Sequence, residues 1–398
     1  MPILLQINVT ANWGSTGKIA EDIGKLAIEA GWESWIAYGR GNPTSASNLI
    51  RIGNDFDMKF HALQTRLFDN HALASSKVTE GFIRKIKEIK PDIIHLHNIH
   101  GYYLNYQILF RFLKEYDAPI IWTLHDCWPF TGHCAYYDFA KCSRWQTECH
   151  DCPQLKSYPA SLWHDRSTKN FFTKKESFLG CRNLTFVPVS DWLNGELKKS
   201  FLSGYPAVTI HNGIDLSVFT PAETVKEDST QKIILGVASV WDKRKGLDEF
   251  VKLRKLLPEN YHITLVGLSN DQIATLPDGI TGIRRTENVR QLADLYSMAD
   301  VFVNPTLEDN FPTTNLEALA CGTPVITYRT GGSPEAIDDA TGFIVDYQDV
   351  EALARQIVTV CETNAISANV CRKRAENFYN KKIVFQQYIT LYNNCLKQ

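Results

Sequence analysis

Lys243, Arg244 and Lys245 run directly into Gly246, and Asp309 precedes Glu317 by eight residues. The basic triplet stands where a strand gives way to a helix. Cationic side chains beside a helix N-terminus add to its dipole, which suits a pyrophosphate. In isolation the same triplet is also an ordinary solvated cluster. Glu317 opens Glu-Ala-Leu-Ala-Cys-Gly-Thr-Pro, late on a short helix stopped by Gly322. An ionised carboxylate accepts hydrogen bonds from vicinal hydroxyls, which is how acidic residues hold a ribose. Asp309 with Asn310 offers the same chemistry to a second sugar. Spacing alone leaves two ordinary surface charges as an equal reading.

Gly14 and Gly17 lie between a strand and a helix. Backbone N–H groups there can take an anion, although any tight strand-to-helix turn also needs glycine. The run Gly14-Ser-Thr-Gly-Lys18 is not a P-loop, because Asn12 replaces the first glycine and Ile19 the magnesium-binding hydroxyl residue. Five of the eleven histidines are His95, His97, His100, His125 and His133. A lone histidine is more often structural than catalytic.

Cys134, Cys142, Cys149 and Cys152 form C-x7-C-x6-C-x2-C, with Cys127, His133 and His150 nearby. Four thiolates can close a tetrahedral zinc site, which would stabilise a loop with little core of its own. Disulfides and free thiols are the rival states. A structural zinc is the expectation.

The elements that position these residues follow from an alternation of β-branched runs and amphipathic stretches. Strands are expected at 3–9, 35–38, 92–97, 119–124 and 184–189, with helices at 18–30, 78–90, 104–115 and 166–179. A second series has strands at 232–237, 262–266, 300–304 and 324–327, with helices at 247–257, 289–298, 315–320 and 350–362. Such alternation implies parallel sheets with right-handed crossovers, so the fold class is α/β with two doubly wound domains. The expected division is 1–205, carrying a Cys-rich insert at 126–161, then 206–375, and a helical segment 376–398 that caps the second domain or crosses back to the first. Ligands of such sheets sit beyond the carboxyl ends of the strands.

The chain has 398 residues and a formal net charge of −2, which argues against nucleic acid as a partner. No apolar run reaches the roughly 20 residues that span a bilayer, and the N-terminus lacks the features of a signal peptide. A cytoplasmic protein is expected. Residues 82–90 and 169–178 mix basic with apolar residues, as interfacial helices do. Peripheral contact with the inner face of the plasma membrane is therefore weighed against two solvated helix faces.

Six segments in order resemble glycosyltransferase family 4, a group of the GT-B fold. They are the glycine loop at residues 14–17, Thr123-Leu-His-Asp126, Ile210-His-Asn-Gly-Ile-Asp215, Arg244-Lys-Gly246, Asp309-Asn-Phe-Pro-Thr-Thr-Asn-Leu-Glu317 and Gly331-Gly-Ser-Pro-Glu335. The histidine-rich stretches 95–103 and 125–134 are similar to a bacterial subgroup that assembles surface polysaccharides. The resemblance implies two Rossmann-like domains facing across a cleft. The first would bind the acceptor and the second a UDP- or GDP-sugar.

By the same resemblance, Glu317 would hold the donor ribose. Asp309 would lie near the donor sugar, where the family usually has Glu. Arg244 and Lys245 would neutralise the diphosphate, Arg244 standing in for an arginine that is Val240 here. Asn310, Phe311, Pro312 and Thr313 would bring backbone to the phosphates and sugar, and Gly14 and Gly17 would lie by the diphosphate. His125 would sit beside the anomeric carbon, with His97 a weaker candidate. The implied reaction is sugar transfer with retention, without a catalytic metal, to a glycan or lipid-linked glycan. A nucleotide-sugar epimerase or phosphorylase on the same fold, and a non-catalytic nucleotide-sugar-binding protein, are the alternatives.

Overall fold

The run Ile-Leu-Leu-Gln-Ile-Asn forms strand β1 (Ile3–Asn8), covered on both faces. It lies inside a six-stranded parallel sheet with β2 (Glu33–Tyr38), β3 (Asn48–Arg51), β4 (Ile93–Leu96), β5 (Ile120–Leu124) and β6 (Leu184–Pro188), in the order β3-β2-β1-β4-β5-β6. In this computed structural model, residues 1–222, 230–363 and 365–397 are described. The second sheet comprises β7 (Lys232–Val237), β8 (Tyr261–Val266), β9 (Ile280–Ile283), β10 (Val301–Asn304), β11 (Val325–Tyr328) and β12 (Gly342–Val345), in the order β12-β11-β10-β7-β8-β9. Both are doubly wound α/β sheets. In each, the strand order reverses between the first strand and the fourth, at β1/β4 and at β7/β10. Such a reversal is the usual ligand position in open parallel sheets.

The first unit is Met1–His211 with Phe385–Gln398, and the second is Asn212–Val384. The boundary lies a few residues beyond the expected 205/206, because the chain after β6 still bonds back to it. Val208 N–H donates to Phe186 O (3.0 Å) and Ile210 N–H to Pro188 O (3.2 Å). The segment 376–398 is not one body. Ile214 and residues 379–381 pair within the second unit, whereas Phe385 onward groups with the first.

Most expected strands and helices are present with small changes at their ends. The edge strands β3, β9 and β12 were not expected; each has only four residues, and the first and last of β3 are solvent-exposed. The helices Asp55–Phe68, Asp191–Lys198 and Ala368–Phe378 were also not expected. The first starts at a capping box on Asn54 and Asp57, a polar signal that a search for apolar stripes passes over.

The insert departs from expectation in another way. It is not a loop with little core. Trp128, Phe130, Tyr137 and Trp145 are buried, with Phe130–Trp145 and Tyr137–Trp145 ring centroids 5.1 and 4.7 Å apart. Burying four aromatic rings supplies apolar area without any regular periodicity.

Candidate active site: two strand-end clusters

In the second unit, β7 and β10 are neighbours, with Ile234 opposite Val301 and Leu235 opposite Phe302. The loops that follow them therefore emerge side by side. The loop after β7 is a short turn over Lys243–Lys245, capped by the Asp242 side chain, and Gly246 ends it in a left-handed conformation (φ 79°). A Cβ at Gly246 would come within 2.2 Å of Pro305 O, so only glycine lets the two loops touch. Gly331 (φ 52°) does the same from the other side, where a Cβ would meet Asp309 O at 2.0 Å. The segment 305–309 is thus held between two glycine-permitted contacts. Leu307 N–H adds a bond to Arg244 O (2.7 Å).

This arrangement brings Arg244, Lys245 and Asp309 together. Lys245 Nζ forms an ion pair with Asp309 Oδ2. Arg244 Nη1 lies 3.8 Å from the same oxygen and donates to Glu308 O at 2.7 Å. Burial alone would raise the Asp309 carboxyl, but the ammonium of Lys245 and the guanidinium of Arg244 outweigh it and hold the group below the usual carboxylate range. Arg244 also lies 4.0 Å from Asp242 Oδ2, so two cations face two carboxylates at the switch point.

Glu317 is held by a different set of contacts. It lies on the helix Thr313–Ala320, which starts two residues earlier than expected and so carries its N-terminus closer to Asp309. Its Oε2 accepts from the buried Tyr296 hydroxyl at 2.9 Å. Asn310 and Phe311 are buried in the run into this helix, Pro312 is its N-cap and Thr313 its first residue. Phe311 O accepts from Asn212 Nδ2 at 3.1 Å. Asn315 fixes the helix to the sheet: its Oδ1 accepts from Asn304 Nδ2 (2.8 Å) and its Nδ2 donates to Ser333 O (3.1 Å). Tyr296 and Asn304 escaped the sequence reading, since neither carries a pattern of its own.

In the first unit, residues 14–17 are the first turn of the helix Gly14–Glu29 and not a loop before it. A Cβ at Gly17 would lie 2.7 Å from Thr10 Oγ1, which explains a small residue there by packing. His97 and His125 follow the adjacent strands β4 and β5. His97 Nδ1 is 3.1 Å from His125 Nε2, and the rings are stacked. Burial pushes the His125 imidazole down to about 4 and holds His95 and His97 well below the ordinary value. The segment from Phe385 onward explains His95. Its Nδ1 is 2.6 Å from the Tyr392 hydroxyl, and its Nε2 is 2.8 Å from Thr123 Oγ1, which meets Tyr388.

Among the insert cysteines, the thiols of Cys134 and Cys152 are hydrogen-bonded, and this contact is the largest influence bringing Cys152 down to about 7. Cys149 Sγ accepts the Gly132 N–H at 3.1 Å, and burial pushes its thiol up to about 12. Beside them Lys174, fully buried, donates to Trp128 O and Thr131 O and lies 3.6 Å over the Trp128 ring. None of the four is joined in a disulfide.

Residues 82–90 and 169–178, weighed above as interfacial, turn most of their apolar side chains inward, although Phe172 stays 47% exposed. Phe82, Ile86, Phe171 and Phe178 are buried. The exposed apolar face belongs to the unexpected helix Asp55–Phe68, where Phe56 is 75% exposed and Phe60 51%. No helix among the described residues is long and apolar enough to cross a membrane.

Two family models match the chain: Glycosyltransferase Family 4 over residues 19–218, and Glycosyl transferases group 1 over residues 231–363. The chain belongs to glycosyltransferase family 4. It is 25% identical to a putative colanic acid biosynthesis glycosyl transferase, WcaC of Escherichia coli K12, over 98% of this chain and 99% of that protein. It is 28% identical to an N,N'-diacetylbacillosaminyl-diphospho-undecaprenol alpha-1,3-N-acetylgalactosaminyltransferase of Campylobacter jejuni, over 46% of this chain and 53% of that one. In fold it resembles Anabaena Alr3699/HepE, solved in complex with UDP-glucose (TM-score 0.66, 15% identity, 98% of this chain and 99% of that one). As a family 4 member it has two Rossmann-like units of the GT-B class, and the switch-point cluster lies in the unit matched by the group 1 model.

Proposed function

We propose that this glycosyltransferase moves a sugar from a nucleoside diphosphate-sugar to a glycan or lipid-linked glycan, with retention at the anomeric carbon, during assembly of a bacterial surface polysaccharide. The observation that carries the reading is the convergence of Arg244, Lys245 and Asp309 at the β7/β10 switch point. A diphosphate entering there meets two cations and the N-terminus of the helix Thr313–Ala320, where charge developing on the leaving group is stabilised. Lys245 can exchange its carboxylate partner for the incoming phosphate, which releases Asp309 toward sugar hydroxyls. Glu317, steadied by Tyr296, takes the ribose hydroxyls.

In the reaction the bond from the anomeric carbon to the phosphate oxygen breaks, and a bond to the acceptor oxygen forms on the same face. The acceptor proton passes to the departing diphosphate oxygen. His125 lies beside the transferred sugar in this reading. The names of two relatives, one assigned to colanic acid biosynthesis and one acting on a diphospho-undecaprenol-linked sugar, favour a polysaccharide product. The exposed Phe56 and Phe60 face suits an acceptor carried on a lipid. The insert cysteines are proposed to bind a structural zinc, with the Gly132 N–H offsetting thiolate charge on Cys149.

A panel of UDP-, GDP- and TDP-sugars tests the donor reading by thermal shift, because a ligand of the native state alone raises the melting temperature. One base should stand out, and release of that nucleoside diphosphate should follow. A flat panel contradicts the reading.

A further inference from the structure

We infer that His97 is a positioning residue that fixes His125 as its Nε2–H tautomer, through a hydrogen-bond chain ending on Gln6. The inference deepens the proposed function, since it matters to transfer only if His125 adjoins the sugar. Its structural part stands by itself.

The chain begins at an amide whose orientation is settled. Gln6 is buried in β1, and its Nε2 donates to Ala20 O at 2.8 Å. The flipped amide would set two oxygens against each other, so Oε1 must be the atom that faces His97 Nε2, at 3.0 Å. An amide oxygen only accepts. His97 Nε2 therefore carries a hydrogen. Burial keeps His97 neutral, so its Nδ1 holds a lone pair. That lone pair faces His125 Nε2 at 3.1 Å, and His125 Nε2 must supply the hydrogen. His125 Nδ1 is then the acceptor nitrogen.

The rings are held in place as well as in protonation. His97 lies between His95 (ring centroids 4.0 Å apart) and His125 (5.4 Å, interplanar 17°). His95 is locked at both nitrogens by Tyr392 and Thr123. The His97 carbonyl accepts from Trp122 Nε1 at 3.0 Å. Rotating His97 by half a turn would break both its ring bonds. The same relay places the lone pair of His125 on Nδ1. Gln6 thus has a task that a buried strand residue otherwise lacks, and its polarity inside an apolar strand is explained.

Nitrogen-15 correlation spectra of the labelled full chain, with the His125 signals assigned from His125→Gln, read the tautomer directly. The wild type should show the Nε2–H pattern for both His97 and His125 at neutral pH. His97→Phe, which cannot accept, should shift His125 to a mixture. His97→Asn, whose oxygen superimposes on Nδ1, should restore the pattern. Glycosyl transfer should fall roughly 10²-fold in His97→Phe, the scale on which a misplaced reacting group costs, and recover in His97→Asn. A wild-type His125 in the Nδ1–H form, or one unchanged by His97→Phe, overturns the inference. A tautomer that shifts as described while transfer stays at full rate overturns the placement of His125 beside the sugar and leaves the relay standing.

Discussion

Lys245 and Asp309 are 64 positions apart and joined by an ion pair. The sheet order explains the meeting: β7 and β10 are the pair at which the strand sequence reverses, so the loops after them emerge side by side. Asp309 is held ionised by the two cations beside it. The pair is therefore a largely buried ion pair at the point where the strand order reverses, and not a chance surface contact.

Removing the ammonium should damage catalysis more than folding. Lys245→Ala is expected to lower kcat/KM for the donor by about 10²-fold, the usual effect of deleting one charge-stabilising donor. Lys245 retains some exposure, so the stability change should stay within about 1 kcal/mol. Nucleoside diphosphate release and a melting curve measure the two. Equal activity in Lys245→Ala and wild type counts against the site.

His95 and His97 are buried and His125 is partly buried, and desolvation pushes His125 down to about 4 and holds the other two well below 6.5. Their folded pKa values are lower than in the unfolded chain, so between about 4 and 6.5 the unfolded chain binds more protons. Stability from this cluster is complete above about pH 6.5 and declines as the pH falls toward about 4. Melting temperatures should drop across that window. A curve that is level from about pH 7 to 5 contradicts the neutral state of the three.

Zinc content is a separate question. Protein purified without chelator should carry about one zinc per chain, as a closed four-ligand site requires. The double variant Cys149→Ser with Cys152→Ser should lose it, and Cys181→Ser, a cysteine outside the insert, should retain it. Folded wild-type protein without metal removes the zinc proposal and leaves the aromatic core of the insert as its stabiliser.

The helix Asp55–Phe68 gives a direct membrane test. Co-sedimentation with anionic vesicles at low salt should be clear for wild type and several-fold weaker for Phe56→Ser with Phe60→Ser, because each exposed ring adds burial at the interface. Both side chains are solvent-exposed, so the fold should be unaffected. Identical sedimentation of the two proteins rules out this face as the contact.

Periodicity made the alternating architecture legible, because buried strands carry strong local patterns, whereas Arg244, Lys245 and Glu317 stood out only through the family resemblance, since spacing alone left them as ordinary surface charges. Elements whose stability comes from elsewhere were harder to see. The four-residue edge strands depend on their neighbours. The helix Asp55–Phe68 exposes the rings that would normally mark a buried stripe. The insert core is aromatic and aperiodic. Gln6 could be read only as an interruption of an apolar strand until the structure set it against His97. The hold of Tyr296 on Glu317 was equally hidden, since a lone tyrosine on a helix announces no partner.

A crystal structure of the full chain with the nucleoside diphosphate that gives the largest thermal shift tests the central claim most directly. The account predicts phosphate oxygens about 3 Å from Arg244 and Lys245, with the ribose hydroxyls on Glu317. A nucleotide bound elsewhere, with those three side chains turned from it, contradicts the account.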